Sequence, residues 1–256
     1  MLAKEIAGIL EELAPPRGGD EGFRFGNPET EVRGVLVCWM CTLDAIGRAV
    51  DEGCNLIITH EQLHYPSTSG GATLESCMTW PVNQARLSAL AKGDVTVYRA
   101  HGMLDRFCLL DDFGRVLNLP EPAVAEGYYR IYDVQPTPVI QVVERAKQRL
   151  GLSHLRVTGS LDNMVRRIGL PWGGLGLSVN IVFLNGLLEY HPDCLIGGET
   201  DEYAQRFCQD AGVVLIETGH AVSEEPGLEH FAQWLAERLA PTPVVFHGLS
   251  PAWTIV

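Results

Sequence analysis

Three short stretches, far apart in the chain, place metal-ligating side chains at the end of an apolar run. His60-Glu61 follows CNLIIT, His101-Gly-Met-Leu-Asp105 follows VTVYRA, and His220-Ala-Val-Ser-Glu224 follows VVLIETG. Imidazole and carboxylate together suit Zn, Mn, Fe, Ni or Co, whereas an all-oxygen calcium site has no use for the histidines. The set His60, Glu61, Asp105, His220 and Glu224 carries three carboxylates. That is too many for one tetrahedral zinc with an open position. It fits two ions roughly 3.5–4 Å apart, bridged by a carboxylate and by water or hydroxide. The chemistry this predicts is hydrolysis, with a bridging hydroxide attacking a carbonyl or phosphoryl centre.

Each residue also has a plainer reading. Glu224 precedes Glu225-Pro226-Gly227 and suits a helix N-terminus by charge. Asp105 reads equally as a surface residue. His64, four residues after His60, is a proton shuttle, a loop residue or a further ligand, and His101 joins it as a candidate for proton transfer or ligand support. His154, His191, His230 and His247 have no carboxylate-rich partner motif and read as structural or exposed. The recurrence of one local setting three times is what favours a metal site.

The elements that must position these groups alternate strand and helix. A helix is predicted over 2–14, a strand over 34–40, a helix over 42–52 capped by Thr42, and a strand over 54–59. A helix over 74–92, interrupted near Pro81, leads to a strand over 95–100. Short continuous apolar runs between helices indicate buried parallel strands. LPEP, VQPTP and a cluster of tyrosines change the pattern near 119–138; a helix over 138–150 and strands over 154–159 and 164–169 follow. The first pattern then resumes, with strands over 193–198, 213–218 and 244–247 and helices over 200–211 and 226–239.

The predicted fold class is therefore α/β. A discontinuous, mainly parallel metal-binding domain spans residues 1–119 and 191–256, with a smaller α/β domain inserted over 120–190. Strand C-terminal ends open on one edge of a parallel sheet, so the three clusters are expected to converge there. PWGGLGLS (171–178) lacks Walker spacing and is not GxGxxG, so it reads as a tight turn needing positive φ, not a phosphate loop.

The 256 residues are 46% hydrophobic and carry a formal charge of −13, which argues against a nucleic-acid partner. Arg145, Lys147, Arg149, Arg156, Arg166 and Arg167 read as a solvated face. The first residues have helical periodicity and not the features of a signal peptide. No apolar run approaches the ~20 residues of a membrane span. The expectation is a soluble cytoplasmic protein without a membrane partner. Seven cysteines do not make a disulfide framework, and Cys38-Trp-Met-Cys41 reads as inert thiols of a buried strand.

At these residues the chain resembles the NIF-three-like proteins, a dinuclear-metal family whose members are commonly named type 2 homologues of GTP cyclohydrolase I. LIITHEQLHYP (56–66) is similar to its apolar strand plus His-His-Pro-Leu segment, and RAHGMLD (99–105) to its His-Thr-Asn-Leu-Asp. IETGHAVSEEPG (216–227) is similar to its Gly-His-x-x-x-Glu signature, and the likeness runs through 194–239. By position, the resemblance implies His60, Glu61, Asp105, His220 and Glu224 as ligands of two divalent ions. Glu61 stands where the common form has a second histidine, and a harder donor there shifts preference towards Mn or Fe. Met40 stands where many relatives have an aspartate. The resemblance also implies a homo-oligomer, a toroidal homohexamer of dimers. The first functional expectation is a metal-dependent hydrolase of a small molecule, nucleotide- or pterin-like, whose identity the sequence does not give. Its alternatives are a non-catalytic protein that stores, buffers or delivers metal, and a regulatory protein with structural metals.

Overall fold

The computed structural model describes residues 1–14, 19–65, 74–249 and 252–253. The fold is mixed α/β with two sheets, in two compact units. The first unit is discontinuous, Met1–Cys108 with Leu228–Ser250; the second comprises Leu109–Gly227 and Pro251–Val256.

The chain begins with α1 (Ala3–Leu13), β1 (Gly22–Phe25), β2 (Val35–Cys38), α2 (Leu43–Asp51) and β3 (Leu56–Thr59). Then come α3 (Leu74–Cys77), α4 (Pro81–Gly93), β4 (Thr96–Arg99) and α5 (Gly102–Leu104). A π-helical segment, Asp105–Leu109, carries the chain into α6 (Leu110–Val116). There follow β5 (Val124–Glu126), β6 (Tyr129–Pro138), α7 (Val139–Leu150), β7 (Arg156–Thr158) and β8 (Met164–Gly169). Two 3-10 turns precede α8 (Ile181–Leu188), and β9 (Cys194–Gly197), α9 (Glu202–Asp210) and β10 (Val214–Glu217) follow. The chain ends with α10 (His220–Leu239) and β11 (Val244–His247).

The first sheet has the order β1-β4-β3-β2-β11. Its strands run parallel except β1, which pairs antiparallel with β4. All four residues of β2, β3 and β4 are buried, as strands covered on both faces require. Leu36, Ile46, Ala49, Ile57, Leu63, Leu90 and Val97 make a continuous core there. Thr42 caps α2, its hydroxyl accepting from the Ala45 amide at 3.1 Å, and Pro81 occupies the first turn of α4, where a missing N–H costs nothing.

The second sheet has the order β5-β6-β8-β9-β10-β7 and mixes directions: β8, β9 and β10 are parallel, and the outer pairings are antiparallel. This corrects the sequence-based assignment. β9 and β10 lie in the second sheet, so the inserted unit covers 109–227 instead of 120–190 and is nearly as large as the first. The reason is physical. A buried CLIG or VLIE strand has the same local pattern in either sheet, and only its pairing partner decides membership. The third cluster therefore follows a strand of the second sheet, whereas the first two follow strands of the first.

All seven cysteines are buried and free. Burial pushes the Cys41 thiol up to about 12 and the Cys208 thiol to about 11, so neither is a ready thiolate. Among the described residues no helix is long and apolar enough to cross a membrane.

Candidate metal centre

In the first unit, β3 and β4 are parallel neighbours with Thr59 opposite Arg99. The residues that follow each strand leave one edge of the sheet together. His60 is fully buried there, and its Nδ1 lies 3.1 Å from the Ala100 carbonyl. That contact fixes Nδ1 as the donor and points Nε2 the other way, where it sits 3.5 Å from Asp105 Oδ1. Asp105 opens the π-helical segment, whose wider turn is a common feature of functional sites.

His101 is held in the same manner by a different acceptor. Its Nδ1 lies 2.8 Å from Asp20 Oδ2. Arg99 donates to the other oxygen of Asp20 and, through Nε, to the His60 carbonyl at 3.1 Å. Burial alone raises the Asp20 carboxyl, but His101 and Arg99 outweigh it and hold it well below the usual carboxylate range. Burial lowers His101, while the hydrogen bond to Asp20 and the charge of Asp105 overcome this and raise it. His60, Glu61 and His101 each offer a ligand atom within 4.8 Å of the others.

The loop bearing Glu61 and His64 is pinned by α4. Asn83 accepts from the Tyr65 amide at 2.9 Å and donates to the carbonyls of Tyr65 (2.7 Å) and Cys77 (2.8 Å). One turn on, Arg86 donates to the Leu63 carbonyl at 2.8 Å and stacks over the Tyr65 ring at 4.4 Å. Asn83→Ala leaves three backbone groups to find new partners. A loss of about 2–4 kcal/mol is expected, read as a fall in the denaturant midpoint of the metal-free protein. Burial, with the charges of Arg86 and Arg24, lowers the His64 imidazole, favouring its neutral form. His64 belongs to none of the donor groups found among the described residues.

In the second unit, β10 leads through Thr218-Gly219 into α10, which begins at His220 and not near residue 226. The sequence EEPG looks like a helix start because proline favours the first turn. Here Pro226 lies inside the helix instead. The earlier start places His220 and Glu224 four apart on one helix face, Nε2 to Oε1 3.4 Å. His220 Nδ1 lies 3.1 Å from Glu199 Oε2, just beyond β9, and that contact lowers the Glu199 carboxyl.

PWGGLGLS packs against this pair. Gly173 has φ +55°, its amide donates to Ser223 Oγ at 2.8 Å, and Ser223 donates to the His220 carbonyl at 2.7 Å. A Cβ on Gly173 would overlap Glu224 Oε1, and one on Gly174 would lie 3.1 Å from His220 Cε1. The motif is a close-approach turn, as its lack of phosphate-loop spacing predicts, and its specific task is to seat the imidazole and carboxylate.

The donor geometry fits a divalent ion. With metal–ligand bonds of about 2.0–2.2 Å, adjacent donors on a tetrahedral ion stand roughly 3.3–3.6 Å apart. The His60–Asp105 and His220–Glu224 separations of 3.5 and 3.4 Å fall in that range and are long for hydrogen bonds. Each of His60, His101 and His220 also has Nδ1 engaged by an oxygen, the arrangement that orients metal-bound imidazoles.

The family model described as DUF34/NIF3 (NGG1p interacting factor 3) matches residues 1–250. The chain belongs to the DUF34/NIF3 family. A DUF34/NIF3 relative from Clostridium perfringens named GTP cyclohydrolase 1 type 2 homolog is 25% identical, over 93% of both chains. One of the same name from Lactococcus lactis is 26% identical over 90% of this chain and 86% of its own. Among solved structures, a Bacillus cereus protein related to NIF3 superposes with a TM-score of 0.82 at 15% identity, covering 100% and 99% of the two chains. That likeness establishes the DUF34/NIF3 fold.

Sequence reasoning passed over Asp20 and Glu199. Glu199 directly follows the glycine pair Gly197-Gly198 at the end of β9, a strand-end acid of the kind that marks the other clusters. Asp20 has no such signal, because it reaches His101 across 81 residues. The remaining histidines have structural settings: His230 stacks on Phe107, and His247 Nε2 lies 3.0 Å from Asp44.

Proposed function

We propose that the chain is a metal-dependent hydrolase of a small molecule, with His60, Glu61, Asp105, His220 and Glu224 holding two divalent ions. The observation that carries this reading is the set of pre-oriented imidazoles, each with Nδ1 tied to an oxygen, beside carboxylates at coordination spacing. When bound, such a pair supplies Lewis acidity and makes a bridging water nucleophilic near neutral pH. The protein's part is to orient. Ala100 and Glu199 fix the imidazole tautomers, and Gly173 leaves room for the Glu224 carboxylate. His64, whose neutral form is favoured by burial and by the charges of Arg86 and Arg24, would be the proton acceptor in this reading. A cytoplasmic homohexamer acting on a nucleotide- or pterin-like compound belongs to the same proposal.

The test is turnover by metal-loaded protein against phosphoesters, cyclic amides and nucleotides. The expected result is hydrolysis abolished by a chelator and restored by one of Mn, Fe, Co, Ni or Zn. Full loading with two ions and no turnover across the panel favours the storage or delivery reading instead.

A further inference from the structure

We propose that His101 is itself a metal ligand, through Nε2, and that Asp20 is the residue that positions it. This rests on the metal-centre reading above and adds to its ligand set. Three observations in the first unit carry it.

The first is placement. His60, Glu61 and His101 offer ligand atoms within 4.8 Å of one another, and the two imidazole rings lie 4.7 Å apart between centroids at 33°. Two rings side by side and tilted can direct their Nε2 atoms at one point.

The second is orientation. His101 Nδ1 is engaged at 2.8 Å by Asp20, so the nitrogen left for an ion is Nε2. Carboxylate on the far nitrogen also makes an imidazole a stronger donor.

The third is the bracing of Asp20. Its Oδ1 and backbone carbonyl both accept from Arg99, and its carbonyl accepts again from Arg24 at 2.8 Å. Arg99 is buried and also donates to the His60 carbonyl. One guanidinium thus ties the support of His101 to the backbone of His60. A surface histidine with an incidental ion pair has no such bracing. With His101 included, the first unit supplies two imidazoles and two carboxylates, His60, His101, Glu61 and Asp105.

The experiment uses cobalt(II) as the probe on the full chain, reading ions per chain, dissociation constants by chelator competition, and the visible absorption of the bound ion. His101→Ala is expected to keep the far-ultraviolet circular dichroism of the wild type, change the cobalt spectrum, and weaken one ion at least 10-fold. Added imidazole is expected to restore the spectrum. Asp20→Asn, which keeps the size of the side chain, is expected to weaken the same ion about 10–100-fold. Unchanged dissociation constants and spectrum in His101→Ala, with the wild type binding two ions, overturn this inference alone. A wild type that binds no cobalt overturns it together with the metal-centre reading. If His101→Ala fails to fold, His101→Gln carries the same comparison.

Discussion

His220→Ala should lose at least one bound ion per chain while keeping its fold. The imidazole sits at the start of α10, partly exposed, and the large buried apolar side chains of that helix lie further on, at Leu228, Phe231 and Leu235. Truncation therefore removes little core. Glu199, left behind, is half exposed and rehydrates, so losing that contact costs below about 1 kcal/mol. The cost to metal binding is large, because the substitution removes one of the two α10 donors and leaves Glu224 without its neighbour at 3.4 Å. Elemental analysis after metal-supplemented purification reads the result. Full metal content in His220→Ala would show that this imidazole is not a ligand.

Gly173→Ala should impair metal binding as severely, although alanine has no chemistry of its own. Two effects add. A residue with a Cβ is strained at φ +55°, costing about 1 kcal/mol. The new Cβ also overlaps Glu224 Oε1 and stands 3.3 Å from His220 Nε2, so the carboxylate has to rotate away from its place beside the imidazole. Gly212→Ala separates the two, since Gly212 has φ +71° with nothing within 4 Å of an added Cβ. It should lower the melting temperature by a few degrees and leave metal content unchanged. If Gly173→Ala behaves like Gly212→Ala, the close approach to Glu224 has no bearing on the ion.

These two predictions concern a turn and a helix start that the sequence shows unequally. The four-residue buried strands were legible because uninterrupted apolar runs such as LIIT and VLIE leave few alternatives. The ends of those strands, where the candidate ligands stand, were legible for the same reason. Sheet membership was not, because a strand's partner is set by long-range packing that its own residues do not encode. The start of α10 was misread because a local rule about proline yielded to the wider fold. β1, β5 and most of β6 lack a clear apolar alternation, and α5, the π-helical segment and α6 follow one another without a cap. Asp20 and Glu199 act through space on histidines 81 and 21 residues away, a relation no spacing rule reaches.

The oxygen contacts to Nδ1 bear on how the protein meets its metal. Each ring has its Nδ1 engaged by an oxygen supplied by the fold. Among the described residues, none of the candidate ligands belongs to the buried apolar clusters of the two sheets. On the metal-centre reading proposed above, loading and unloading would be exchange reactions of a folded protein, unlike those of small domains that collapse only around their zinc. Which metal the chain carried would then be a question of what its surroundings offer at the time, and the same molecule could be refitted with another.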